Sequence, residues 1–297
     1  MTWSEWLAAE YTPGTAAAYA FEAGHYLAWL GGEAEALTAD YGRIVTYLAA
    51  LRKRYDKPAT LSRILSAVKA YHRWLLETGR RDDHPALGLT LRDGKRRGGR
   101  QVQDLLTEEE LRKLLAPRAE RYQMLAGRNA VIVGLLVHQA LTLRELAELR
   151  TGDVDLEAGT VAVSGGRQTV GRRLNLVTSQ VMQLHRYVND ERAKLLRKNI
   201  PTDRLLLTSR GTAENGEGVQ YLVETLRPLV PGKRLTPTVI RQSVIALKLK
   251  NGEGLRRVQV FAGHKWVSTT EGYRENNLAE LRAAVGRCHP LGNEQKS

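Results

Sequence analysis

Three residues in the C-terminal stretch are of types that do chemistry: Arg241, His264 and Tyr273. A guanidinium fork binds oxyanions, an imidazole exchanges a proton near neutral pH, and a phenol carries a nucleophilic oxygen. His264 follows Gly263 at the end of a short amphipathic stretch, Leu255 to Phe261. Glycine there permits a left-handed helix end, which projects the next residue from a sharp turn. Tyr273 comes shortly after Ser268-Thr269-Thr270. Each residue also has a plainer use: the arginine as a surface cation, the histidine as a hydrogen-bonded polar group, the tyrosine as a core or rim aromatic. Taken singly, the types leave both uses open.

The elements that must position them are mostly helical. Apolar spacing predicts helices over Thr15 to Leu30, Asp40 to Arg54 and Thr60 to Thr78. In the last of these, Leu61, Ile64, Leu65, Val68, Tyr71, His72, Trp74 and Leu75 make one face, while Arg63, Lys69 and Arg73 lie largely off it. Thr60 or Ser62 is its expected start and Gly79 its stop. Residues 89–103 then change character: Asp93 to Arg100 holds only charge and glycine, the composition of an exposed linker. Thr107 with Glu110 forms a capping box that opens a second helical region. A buried helix is predicted over Arg128 to Leu143 and a short one over Glu145 to Arg150. Alternation over Leu156 to Val163 and Arg172 to Val177, around a Gly-Gly-containing turn, predicts a β-hairpin. Helices return over Ser179 to Lys198, Gly218 to Leu229, Thr238 to Lys250 and Leu255 to Phe261, and Asn277 to Gly286 has an apolar edge of Leu278, Leu281 and Ala284.

Composition narrows the class. The chain has 297 residues, 42% hydrophobic and 26% charged, which suits two globular domains. Its longest apolar run, Ala130 to Val137, is too short to span a bilayer, and the first residues lack the pattern of a signal peptide, so a cytoplasmic protein is expected. Cys288 is the only cysteine, which excludes an internal disulfide framework and a cysteine-based zinc site. Lys and Arg number 45 against 32 Asp and Glu, a net charge of +13. Residues 1–50 carry a net −5 and residues 51–100 a net +9, so the charge is one-sided. That points to a polyanionic partner, nucleic acid first, with a merely soluble basic protein as the alternative. Single-strand RNA readers rely on stacked aromatics, and Phe occurs only twice here.

The ordered set Leu235 to Arg241, Gly252, Leu255, Val258-Gln259, Gly263-His264, Ser268-Thr269-Thr270 and Tyr273 resembles the C-terminal signature of the tyrosine recombinases, the phage-integrase family. The likeness covers most of the chain. Thr60 to Val68 through His84-Pro85-Ala86 is similar to the last helix of that family's N-terminal core-binding domain. Leu106 to Leu111 resembles the start of its catalytic domain, and Glu145-Leu146, Leu149 and Asp153 to Leu156 fit the segment after its first arginine. The resemblance implies a mostly α fold: a SAM-like helical bundle over 1–88, a basic linker over 89–103, and an α+β catalytic-type domain over 104–297 with a small β-hairpin sheet. It also implies phosphoryl transfer on double-stranded DNA without metal or cofactor, by a homo-oligomer that is tetrameric when recombining, in the cytoplasm at the nucleoid.

Carried over residue by residue, Tyr273 matches the nucleophile, Arg241 the second arginine of the phosphate clamp and His264 the histidine of the Gly-His pair. Arg167, or Gly166 under a one-residue shift, aligns with the hairpin lysine that protonates the leaving oxygen. Three positions depart: Thr142 stands for the first arginine, Thr238 for a histidine, and Gln242 for a histidine or lysine. Losing one positioned charge-stabilising donor costs about 2.7–4 kcal/mol. Arg167 keeps its charge yet gives up a proton poorly. Arg144 is the nearby replacement cation. On an unbroken helix two residues are about 200° of rotation, which turns it away unless the helix end slips. Two functions are therefore weighed: a recombinase that cuts and rejoins DNA through a 3′-phosphotyrosyl link, and an impaired relative that binds DNA in an architectural or regulatory role. Expected DNA contacts are Arg63, Lys69 and Arg73 with the linker bases Lys95, Arg96, Arg97 and Arg100; a solvated hinge is the plainer reading of the linker.

Replacing those four linker bases by alanine is expected to weaken DNA binding and flatten its dependence on salt, by about 0.9 in log–log slope for each phosphate no longer neutralised. Titration at several salt concentrations checks this, and an unchanged slope removes the linker from the interface.

Overall fold

The computed structural model describes residues 1–91, 105–166, 169–196 and 201–273. The chain divides into two compact units, Met1–Arg97 and Gly98–Ser297. Among the described residues no helix is long and apolar enough to cross a membrane.

The first unit is a helical bundle: α1 (Trp3–Glu10), α2 (Pro13–Leu30), α3 (Glu33–Thr38), α4 (Tyr41–Arg54) and α5 (Pro58–Glu77). Asp40 caps α4 by accepting the Arg43 amide at 2.7 Å. The α5 helix starts at Pro58, two residues before the expected Thr60. Proline fixes a helical φ and lacks an N–H, so it fits the first turn, where amide donors go unbonded anyway. The helix stops where Gly79 takes φ +67 and the Arg80 amide folds back to the Leu75 carbonyl at 2.9 Å. α2 packs along α5, and Tyr26, Ile44, Tyr47, Ile64, Val68, Tyr71 and Trp74 form the core between the helices.

The second unit opens with α6 (Glu108–Leu115), whose Thr107–Glu110 capping box forms as expected. The Leu106 amide ties it to Ser243 Oγ at 2.8 Å. α7 (Ala126–His138) is the central buried helix, and the short α8 (Leu143–Glu148) follows. The expected helix over Arg128 to Leu143 is thus wrong at its end. It breaks at His138, and Ala140 adopts φ 52. Gln139 holds the break: its buried amide bonds the Asn175 carbonyl at 2.8 Å and Gln180 at 2.9 Å.

The sheet is also larger than the expected hairpin. β1 (Val154–Asp155), β2 (Thr160–Val163) and β3 (Arg172–Asn175) pair antiparallel in the order β1-β2-β3. Val161 is the middle partner of both Val154 and Leu174. Residues 156–159 turn rather than extend, because Asp155 Oδ1 accepts the Ala158 amide at 2.9 Å and Gly159 takes φ +61. Then come α9 (Thr178–Arg186), a π-helical turn (Tyr187–Glu191), α10 (Arg192–Leu195), α11 (Glu217–Thr225), α12 (Pro237–Lys250) and α13 (Leu255–Ala262). The linker bases Lys95, Arg96, Arg97 and Arg100, Arg167 and the segment Asn277 to Gly286 lie outside the described residues.

His72 gives the first unit a pH-sensitive core. It is fully buried, with Nε2 at 3.0 Å from the Tyr26 hydroxyl. Burial, then the Arg81 and His84 charges, push its pKa down to about 4. The ring is therefore neutral in the fold, whereas unfolded chain takes the proton near pH 6.5. Below that pH the unfolded state binds more protons, so stability falls as pH drops from 6.5 toward 4. The full effect is on the order of 3 kcal/mol. Urea midpoints of the chain are expected to fall between pH 7 and pH 5, and His72→Gln is expected to flatten that decline; an equal slope in the variant removes His72 as its cause.

Candidate active site

Two breaks in helical structure shape one cleft. The first is the junction of α7 and α8. There the Thr142 hydroxyl accepts the Glu145 amide at 3.2 Å, and Glu145 Oε2 accepts the Thr142 amide at 2.9 Å. The second is the end of α13. Gly263 takes φ +67, and the next amide, that of His264, bonds back to the Gln259 carbonyl at 3.1 Å. No other residue fits at 263. A Cβ there would lie 2.6 Å from Arg172 Nη1 and 2.9 Å from the Val170 carbonyl.

Two buried arginines hold these breaks in place. Arg241, on α12, donates to the Ala140 carbonyl and, at 2.6 Å, to the Ala262 carbonyl. Arg172, on β3, donates to the Phe261 carbonyl at 2.7 Å. Both reach Glu145. Arg172 Nη1 is 2.6 Å from one carboxylate oxygen and Nη2 is 3.3 Å from the other, and Arg241 Nη1 lies at 3.8 Å. The Arg172 and Glu145 side chains are 3% and 4% exposed. Burial alone would raise the Glu145 pKa. The Arg172 hydrogen bond and charge, the Thr142 amide and the Arg241 charge outweigh it and hold the carboxyl below its ordinary range. Glu145 is therefore ionised at neutral pH and fixes both cations.

His264 Nδ1 is 2.9 Å from the Thr270 hydroxyl, and Thr270 is fully buried, so the ring has one orientation. Tyr273 stacks on that ring, centroids 6.2 Å apart and planes 10° from parallel. The β3 side closes on the same turn: the Val170 amide donates to the Gly263 carbonyl at 2.8 Å, and Thr169 bridges to His264.

These elements surround a cleft of about 630 Å³. Arg241, His264 and Tyr273 all line it, together with Thr142, Thr238, Gln242 and Arg144. The helix break changes the expectation for Arg144: it is the second residue of α8 rather than a continuation of α7, and it faces the cleft. Its Nε bonds Glu148 at 2.8 Å. Tyr273 and Arg241 are 3% and 8% exposed. Sequence reasoning missed Arg172, Thr270, Lys265 and Trp266, the last 73% exposed on the cleft wall. A signal for Arg172 existed: it alternates with Leu174, which is buried, so both side chains share the inward face of β3. Among the described residues no group of three or more His, Cys, Asp or Glu is placed to hold a metal ion.

The expected DNA contacts in the first unit all have internal partners. Arg63 pairs with the buried Glu22 carboxylate at 2.6 Å. Lys69 Nζ donates to the Leu87 carbonyl at 3.0 Å. Arg73 pairs with Glu77 at 2.7 Å and Glu10 at 3.4 Å, over the Trp6 ring.

Residues 104–280 match the phage integrase family, and residues 4–79 match its N-terminal SAM-like domain. The chain is 28% identical to tyrosine recombinase XerD of Oceanobacillus iheyensis, over 83% of this chain and 81% of that protein. It is 29% identical to tyrosine recombinase XerC of Azotobacter vinelandii, over 86% of this chain and 83% of that protein. It shares its fold with the XerH site-specific recombinase in a post-cleavage complex with a palindromic difH substrate. There the TM-score is 0.68 at 19% identity, over 84% of this chain and 72% of that one.

Glu145→Ala would leave two buried guanidiniums without the carboxylate they share. Breaking a buried pair from one side typically costs about 3–5 kcal/mol, and a loss of that size in urea denaturation is expected. A loss below about 1 kcal/mol, the range of exposed pairs, would show that Glu145 does not organise the cleft.

Proposed function

The chain belongs to the phage integrase family, and on that premise we propose that it is a site-specific recombinase that breaks and rejoins duplex DNA through a covalent tyrosyl intermediate. The observation that carries this reading is the convergence of Arg241, His264 and Tyr273 on one cleft large enough for a phosphodiester. The Tyr273 oxygen gives up its proton and attacks the scissile phosphorus, the bond to the 5′ oxygen of the next nucleotide breaks, that oxygen takes up a proton and leaves as a hydroxyl, and a 3′-phosphotyrosyl bond remains. Reversal of the step with a new 5′ hydroxyl reseals the strand.

Arg241 clamps a non-bridging oxygen, where its planar fork suits the phosphate. His264, oriented by Thr270, hydrogen-bonds the same phosphate and carries a proton. Arg167, which falls between β2 and β3 in the sequence, steadies the leaving oxygen by charge. Thr142, Thr238 and Gln242 contribute neutral hydrogen bonds. Thr142 is already the acceptor for the Glu145 amide, so what it offers the phosphate is its hydroxyl proton. Support for cutting over binding alone comes from the shared cleft: a binding module has no need to bring a phenol, an imidazole and a buried guanidinium together. The linker bases, Lys69 and Arg73 contact the DNA backbone. Arg63 also neutralises buried Glu22, so its loss touches stability as well as binding. The chain acts as a tetramer on two duplexes, in the cytoplasm at the nucleoid.

The test is a nicked duplex carrying a site selected from random sequence. The wild-type chain is expected to give a covalent, detergent-resistant DNA adduct that Tyr273→Phe abolishes while still binding the duplex. Specific binding with no adduct from the wild type would replace this reading with an architectural or regulatory one.

A further inference from the structure

We propose that Arg144 is a catalytic residue of this cleft, its guanidinium serving as the second cation on the scissile phosphate. The proposal rests on the reading of the cleft as a phosphodiester-cleaving site. Attack on a phosphodiester converts a singly charged group into a doubly charged five-coordinate one, and both non-bridging oxygens gain charge. Each gains from a positioned donor. Arg241 serves one. Thr142 presents only a hydroxyl beside the other.

The local backbone makes Arg144 available for that oxygen. Because α7 ends at His138 and Ala140 turns left-handed, α8 starts afresh after Thr142. Arg144 then lines the same cleft as Thr142 and Arg241. Its neighbour Glu145 is locked by the Thr142 capping box and by Arg172, so the start of α8 cannot drift relative to Arg241. The guanidinium itself is loosely kept. Its pair with Glu148 is four residues along one helix, with the side chains 67% and 37% exposed. Such a pair contributes little and exchanges readily for a stronger anion. Lys265 also lines the cleft, but an ammonium is a point charge and does not match two phosphate oxygens as a planar fork does.

The experiment measures the rate of adduct formation by the full chain on its selected site, in two forms. One has the natural scissile phosphodiester. The other has a methylphosphonate there, in which a methyl group replaces one non-bridging oxygen and its charge. On the natural substrate Arg144→Ala is expected to slow the adduct by about a hundred- to a thousandfold, with DNA binding retained and Arg144→Lys recovering part of the rate. On the methylphosphonate the Arg144→Ala defect is expected to disappear, since the charge it answers is gone. A wild-type rate for Arg144→Ala overturns the assignment. So does an equal defect on both substrates, which would mark a structural role, or a charge-specific defect in Lys265→Ala instead. A wild-type chain that binds its site and forms no adduct on either substrate overturns the recombinase reading itself, and this assignment with it.

Discussion

A carboxylate removed from water and held between two guanidiniums governs the second unit. Glu145 is tied to Arg172 at 2.6 Å and faces Arg241 at 3.8 Å, with all three side chains at or near full burial. Buried charges are expensive to desolvate, and their mutual attraction repays that only with good geometry and further hydrogen bonds. Those bonds are present. The Thr142 amide completes Glu145, and the carbonyls of Ala140, Phe261 and Ala262 complete the arginines. The cluster thereby fixes α8 to β3 and α12, and fixes all three to the last turn of α13. His264 follows that turn directly and Tyr273 lies beside its ring, so the position of the imidazole and the phenol derives from largely buried charges.

The features legible in the sequence are those with local causes. Thr107 with Glu110, Asp40 before Tyr41, and Gly263 before His264 each announce a helix end through their own chemistry, and the structure places them there. The face of α5 follows from apolar spacing, and its start differs because Pro58, rather than a hydroxyl cap, opens the helix. The restart after His138 has a local signal, since Thr142 and Glu145 stand at the same capping-box spacing as Thr107 and Glu110, but the left-handed turn before it has none. Ala140 is neither glycine nor asparagine, and a left-handed alanine costs roughly 1–2 kcal/mol. It is held by Gln139 binding across to β3 and α9, and by Arg241 reaching its carbonyl from α12. The pairing of Arg172 with Glu145 is equally hidden, since nothing along the chain reveals which buried acid meets which buried base. Hence the grouping of Arg241, His264 and Tyr273 is implied by the resemblance to a known family, while the groups that orient them are not legible along the chain.

The first unit shows a different balance. Its core is rich in aromatics, with Trp3 stacked on Trp6 and edged by Tyr71, and Tyr26 tilted against Tyr47. Several of its cations are engaged with carboxylates or carbonyls at the surface. Arg73 and Arg63 are both about half exposed despite their ion pairs. Exposed pairs of this kind are weak and are screened by salt. Separating such a pair costs little, except at Arg63, where the partner is buried and would be left unpaired.

The near-complete shielding of Tyr273 has a consequence for when its hydroxyl can react. The residue is 3% exposed and its ring runs nearly parallel to that of His264. A phenol so enclosed meets a bulky incoming group only after its surroundings yield, so access to its oxygen, and not acidity alone, sets when it can act.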